Sequence, residues 1–245
     1  MTSNHETVSI SIPESLAWAL YMHRDSNKSD LTLPWNGNQS IKDVVESVGI
    51  PHTEVHCYYN ADEEVSENYI VEPGDTLSFT PVLMLPYCQR TFLVDTHLGK
   101  LASYLRLMGF STYYQTDWCS ADIIDLIHTS GATLVTRNHE LLKHKELDHG
   151  LLIHSMEISE QVWEVCYRYD LIYHVNLLTR CPHCNGEVHQ VDKTEIVSQL
   201  EPETNQWYDD FYRCDTCGQI YWYGSHYTRL ITLLDTIRDR IEAIT

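Results

Sequence analysis

Positive charge is scarce in this sequence: 16 Lys and Arg stand against 35 Asp and Glu over 245 residues, a formal net charge of −19. The deficit is deepest up to Gln89, where three basic residues face 13 acidic ones. Such a surface repels polyanions, which excludes nonspecific nucleic-acid binding through bulk charge. Any contact with RNA must then be a local cluster or be mediated by a cation. Glycine and proline are also few, at 10 and 8, which excludes collagenous and low-complexity chains. No apolar run reaches the roughly 18 residues that a membrane helix needs. Met1 to Glu14 has neither the cationic start nor the apolar core of a secretion signal. The expectation is a soluble, cytoplasmic protein with no membrane partner, long enough for two or three domains of about 100 residues.

A disulfide framework is missing too. Cys57, Cys88, Cys119 and Cys166 are scattered as small apolar filler, whereas Cys181, Cys184, Cys214 and Cys217 form two C-x-x-C pairs, each followed by a glycine that permits a tight turn. Four thiolates at this spacing read as a zinc site. The 29 residues between the pairs (185–213) exceed the roughly 15 to 20 of the commonest spacing, which predicts a long hairpin or loop. A site closed by four thiolates leaves no open position, so the Zn²⁺ is expected to be structural, with His183 a spectator.

The first segment opens with the period-two alternation of Val8 to Ile12, a half-buried strand. Ser40 to Gly49 then places Ile41, Val44, Val45 and Val48 on one helical face, with Ser40 and Asp43 fitting a capping box. Strands are predicted at Glu54–Tyr59 and Thr76–Pro81, with Glu72-Pro73-Gly74-Asp75 as a turn. Leu83 to Arg90 reads as a linker.

Beyond it, Thr91 to Val94 is an unbroken apolar run ending in Asp95, the pattern of a strand buried on both faces of a parallel sheet. Leu98, Leu101, Ala102, Leu105 and Met108 give the next helix its core stripe, and Gly109 ends it. Strands are expected at Phe110–Tyr114, Thr133–Thr136 and Leu151–Ile153, with a helix capped by Ser120 and beginning near Asp122. Alternating strands and helices imply a parallel sheet whose strand ends converge on one edge, where open α/β sheets hold ligands. Asp95 and Asn138 lie just past strands, and Asp122 at a helix start. Such carboxylates suit a hard divalent cation. Last, Ile220 to Tyr227 is an aromatic strand leading into a helix with Leu230, Leu233, Leu234, Ile237 and Ile241 on its apolar face.

Ser40 to Val45, Gly49 to Val55 and Pro73 to Leu77 resemble the ubiquitin-like β-grasp domains related to sulfur carriers, with Asn60-Ala61 where that family has an Asn-Gly turn. Leu83-Met84-Leu85-Pro86 carries no diglycine, so an interaction domain for a protein partner is expected rather than carrier chemistry. Phe92-Leu93-Val94-Asp95, Leu98 to Ala102, Leu105 to Phe110, Thr136-Arg137-Asn138, the two cysteine knuckles and Tyr221 to His226 resemble the PIN-like Mut-seven C-terminal RNase family. The resemblance implies hydrolysis of RNA with acidic residues and Mg²⁺ or Mn²⁺. Asp95 matches the first family acid and Asp122 the acid at the second helix. Asn138 stands where the family writes Thr-Arg-Asp, a loss of one negative charge, and Asp117, Asp125 and Asp148 are possible substitutes.

The expected architecture is α/β and multidomain: a β-grasp domain at 1–82, a linker at 83–90, a PIN-like sheet flanked by helices at 91–178, and a zinc ribbon with a terminal helix at 179–245. The leading expectation is a metal-dependent ribonuclease with catalytic Asp95, Asp122 and Asn138, in which Asp95 and Asp122 hold Mg²⁺ or Mn²⁺. Arg106, Arg137, Arg180, Arg213, His226 and Arg229 are the candidates for binding RNA. The competing expectation is a binding module for RNA, a ribosome or a protein, whose active site Asn138 has weakened. A sulfur-transfer accessory is a third, disfavoured by the absent diglycine.

Overall fold

The computed structural model describes residues 6–16, 30–88 and 90–244. They fall into two compact units, one drawn from Met1–Leu83 with Asn138–Leu152 and the other from Met84–Arg137 with Ile153–Thr245.

The first unit is built on strands β1 (Thr7–Ser11) and β2 (Asp30–Pro34), helix α1 (Ile41–Ser47), and strands β3 (Val55–Asn60), β4 (Glu63–Val65) and β5 (Thr76–Pro81). The sheet order is β2-β1-β5-β3-β4; β1 and β5 run parallel and the other pairs antiparallel. Helix α1 forms because its start is satisfied reciprocally. The Ser40 hydroxyl accepts the Asp43 N–H at 3.1 Å while Asp43 Oδ2 accepts the Ser40 N–H at 2.9 Å. Its Ile41, Val44 and Val45 pack with Val8, Ile10, Leu77 and Phe79 of the sheet. Each fully buried aliphatic contributes about 1.5–3 kcal/mol. The strand predicted from Glu54 starts one residue later, because His52–Glu54 forms a 3-10 turn.

The second unit begins with β6 (Phe92–Val94), α2 (Gly99–Leu107), β7 (Thr112–Tyr113), α3 (Ser120–Ser130) and β8 (Thr133–Thr136). Strand β6 is flanked by β7 and β8, both parallel to it. Phe92, Leu93, Val94, Leu134 and Val135 have essentially no exposure, as the unbroken apolar runs required. Helix α3 is capped by Cys119 rather than Ser120, so Asp122 falls at its third position.

Residues 138–152 carry α4 (His139–Leu142) and β9 (Gly150–Leu152). They were expected inside the nuclease segment, yet they cluster with the first unit. Two side chains of the 3-10 turn account for this. The His52 ring bridges Glu46 Oε1 at 2.6 Å and the Leu147 carbonyl at 2.7 Å. The buried Glu54 carboxylate accepts the Leu152 N–H at 3.0 Å, so a strand-edge donor is satisfied by a side chain distant in sequence.

The second unit resumes with α5 (Ile158–Arg168), an amphipathic helix absent from the sequence expectation. An antiparallel ribbon follows, built of β10 (Val188–Val191), β11 (Phe211–Cys214) and β12 (Ile220–Trp222), with α6 (Lys193–Ile196) and α7 (Pro202–Trp207) inserted between β10 and β11. That insertion is the long connection the cysteine interval predicted. Helix α8 (Ser225–Glu242) packs on α5, where the Arg240 guanidinium lies 3.8 Å over the Trp163 ring and bonds Glu160 at 2.7 Å. Among the described residues no helix is long and apolar enough to cross a membrane.

The β3–β4 hairpin turns through Ala61 at φ 52, a left-handed conformation that costs a residue with a Cβ about 1–2 kcal/mol. Ala61→Gly removes that strain and adds unfolded-state entropy worth about 0.4–1 kcal/mol. The expected net gain is about 0.5–1 kcal/mol, read by urea denaturation; a loss of stability would show that Ala61 is not strained.

Candidate functional site

Two groups of chemically capable residues stand out, and all of their members except Asn138 lie in the second unit. In the first, the knuckles bring Cys181, Cys184, Cys214 and Cys217 together, with all four Sγ atoms within 4.8 Å of one another. Cys181 and Cys217 are 3.6 Å apart and Cys184 and Cys214 3.5 Å. A disulfide would require about 2.05 Å, whereas a tetrahedral zinc with Zn–S near 2.3 Å sets sulfur atoms about 3.8 Å apart. The cluster fits zinc. Burial alone would push the Cys214 thiol up, but the Cys217 and Thr216 N–H groups and the neighbouring thiols outweigh it and bring it down to about 7. Such donors favour the thiolate that a metal needs.

The residue after each knuckle is left-handed, Asn185 at φ 66 and Gly218 at φ 74. In the first knuckle this is not the glycine that sequence inspection singled out. Gly186 serves a different purpose: a Cβ there would come to 2.5 Å from Thr216 Oγ1, 2.9 Å from Thr216 Cβ and 3.0 Å from Cys214 Sγ, so glycine lets the two knuckles close on each other. At the cysteines themselves the packing is Val188 with partial help from Tyr212 and Tyr221, while Phe211 and Ile196 are buried elsewhere in the ribbon. Zinc held by the four thiolates would add to this modest core.

Asp95 heads the second group. It follows β6, is 8% exposed, and its Oδ2 accepts the Thr136 hydroxyl at 2.7 Å. Its Oδ1 accepts the Thr96 N–H at 2.6 Å and the Thr96 hydroxyl at 3.2 Å. The carboxylate is therefore oriented by the ends of two adjacent parallel strands. Asp122 is exposed at the start of α3. Hydrogen bonds from the Cys119 thiol and N–H hold its carboxyl below the usual range. Asn138 caps α4, its Oδ1 accepting the Glu140 N–H at 3.1 Å. Among the described residues, no group of three or more His, Cys, Asp or Glu side chains other than the cysteines gathers its ligand atoms.

A family model described as the Mut7-C RNAse domain matches residues 90–234. The chain belongs to the Mut7-C RNAse domain family. A model described as Mut7-C ubiquitin matches residues 8–84. Comparison with curated proteins and with solved structures finds no match.

In this Mut7-C RNAse domain the basic candidates divide by environment. Arg137, Arg213, His226 and Arg229 are exposed. Arg180 is half-buried and donates to the Asn185 carbonyl at 2.8 Å. Arg106 departs from the expectation of an exposed phosphate ligand, because it is 6% exposed. Its Nε donates to the Thr112 carbonyl at 2.9 Å, and one terminal nitrogen donates to the carbonyls of Pro182 and His183, each at 3.2 Å. Asn185 Oδ1 accepts the Thr112 N–H at 2.9 Å. Arg106 and Asn185 thus hold the first knuckle against β7. The spacing carried a signal for this: Arg106 follows Ala102 by four residues and so borders the apolar face of α2.

One zinc per chain is expected by atomic absorption, and Cys181→Ser should lose both the metal and the ribbon fold; a zinc-free protein with full ellipticity would contradict this. Arg106→Met should cost about 2–4 kcal/mol in denaturant, since three carbonyls lose their donor. Its zinc content should stay at one, which separates docking of the ribbon from binding of the metal.

Proposed function

We propose that this protein is a metal-dependent ribonuclease whose acidic site is centred on Asp95, with Asp122 the second acid. The observation that carries the reading is the fixed Asp95 carboxylate at the end of a buried parallel strand, in a chain with a Mut7-C RNAse domain. Mg²⁺ is commonly held by only one or two carboxylates, with waters and substrate phosphate completing its shell. Asp95, held by Thr96 and Thr136, supports the reading as one such carboxylate. When bound, the ion lowers the pKa of water and stabilises charge developing on the phosphate.

The chain's own contribution is orientation. Three donors take three of the roughly four lone-pair positions of the Asp95 carboxylate, so one remains, aimed by Thr96 and Thr136. The lowered Asp122 carboxyl stays charged to more acidic pH than an unassisted aspartate, and supplies negative charge that makes a cation a requirement for RNA to approach. Arg137, Arg180, Arg213, His226 and Arg229 are the candidates for phosphate contacts. Arg106 is left out because its donors are engaged by backbone carbonyls.

A second reading is favoured by Asn138. An amide cannot take a proton, and its oxygen already caps α4, so a chain with two acids could bind RNA and cut it slowly or not at all. In either reading the ubiquitin-like domain is proposed to engage a protein partner.

Purified protein with Mn²⁺ should cleave unstructured RNA, and Asp95→Asn should lower the rate about 100-fold or more. Undiminished cleavage by that variant would remove Asp95 from the site. Should Asn138→Asp create activity that the native chain lacks, the binding module is the correct description.

A further inference from the structure

The insertion between β10 and β11 builds a cleft that neither the cysteines nor the acidic residues occupy. Its volume is about 490 Å³, and α7, β12 and the start of α8 form its walls. Trp222 is a fixed wall, since its ring lies 6.2 Å from that of Tyr208 and 6.3 Å from that of Phe211. It points away from the sulfur cluster, whereas its neighbour Tyr221 reaches Cys181 Sγ at 2.9 Å, as strand alternation requires. Trp207, at the end of α7, is 73% exposed. A second cavity of about 300 Å³ shares Thr204, Gln219, Ile220 and Trp222 with the first, so the groove continues past Trp222.

We propose that this cleft holds an unpaired base of single-stranded RNA, with Trp207 as its stacking platform. The residues lining it decide between kinds of ligand. No Lys or Arg lines the cleft, and Glu203 does. A ligand held mainly through phosphates would find no partner there. What the cleft offers is aromatic face, with the Gln219 amide, the Ser225 hydroxyl and the His226 ring as hydrogen-bonding edges. A base presents both a face and a polar edge, and it presents its face only when unpaired. A duplex keeps its faces stacked inside. The proposal takes the kind of ligand from the ribonuclease reading but makes no use of Asp95 or Asp122.

The test is titration of the zinc-loaded full chain with a single-stranded hexamer of adenylate, without added Mg²⁺ or Mn²⁺, followed by tryptophan fluorescence. The hexamer should quench fluorescence. Trp207→Ala, a change at an exposed position, should weaken binding about 5- to 150-fold, and Trp207→Phe should retain most of it. Affinity should fall with salt more gently than a slope of about −1.4, the value for two phosphate contacts on a single strand. A duplex of equal length should not compete. Equal binding by Trp207→Ala, equal competition by duplex, or quenching by a proline-rich peptide but not by the hexamer each overturns the proposal. Hexamer binding that depends on Trp207 in a protein that cuts no RNA supports the cleft while the ribonuclease reading fails. Full cleavage by a chain that does not bind the hexamer rejects the cleft alone.

Discussion

A buried guanidinium must find acceptors, and the organisation of the second unit follows from how Arg106 finds them. The Thr112 carbonyl belongs to β7, and the Pro182 and His183 carbonyls belong to the first zinc knuckle. An Arg left without them would carry an unpaired charge in the interior, a loss of several kcal/mol. The requirement is mutual, because those knuckle carbonyls reach their positions only when the hairpin has closed around the sulfurs. The knuckle satisfies Arg106, and Arg106 ties helix α2 to the edge of the parallel sheet; a zinc held by the four cysteines would reinforce that link. The ribbon is in this sense coupled to the sheet, and its four thiolates would leave a bound zinc no open position for substrate.

Most of the fold could be read from the sequence where one physical pattern dominates. The apolar run ending at Asp95, the stripe from Leu98 to Met108 and the cysteine spacing each have a single structural solution, and the strands, helix and knuckles appear where expected. Arg106 reads as a surface residue because a long cation does so until its partners are known, and two of its three partners are backbone carbonyls 76 and 77 residues away. The grouping of residues 138–152 was hidden for a related reason. His52 and Glu54 are ordinary polar residues in sequence, and only the fold reveals that they bind the backbone at Leu147 and Leu152. Helix α5 was passed over although Val162, Val165 and Cys166 recur at helical spacing, because the aromatic and charged residues around them diluted the stripe.

The position of Asp95 was legible in the sequence, and its hydrogen-bonded surroundings were not. A carboxylate after a buried strand can be located from hydropathy alone, since the strand fixes where its C-terminal end lies. Its ligand geometry cannot, because it depends on Thr136, a residue that reads as one more β-branched position in a strand. The fixing of Asp95 by two threonines has a chemical consequence. The two threonine hydroxyls fix the rotamer of Asp95 and so set the direction in which its carboxylate faces.

The interval between the knuckles carries the remaining argument. A ribbon needs only a tight hairpin between its cysteine pairs, and this chain places α6 and α7 there instead. The addition brings no basic residue into the cleft it forms, and it exposes a tryptophan. In a chain of net charge −19 that choice is physically coherent. The long-range field is screened beyond about 10 Å at moderate salt, so phosphate contacts by the few exposed arginines act only locally. Stacking on an aromatic face is short-ranged and insensitive to that field. Base stacking in the proposed cleft would thus complement the phosphate contacts proposed for Arg137, Arg180, Arg213 and Arg229 without adding to the charge that they must overcome.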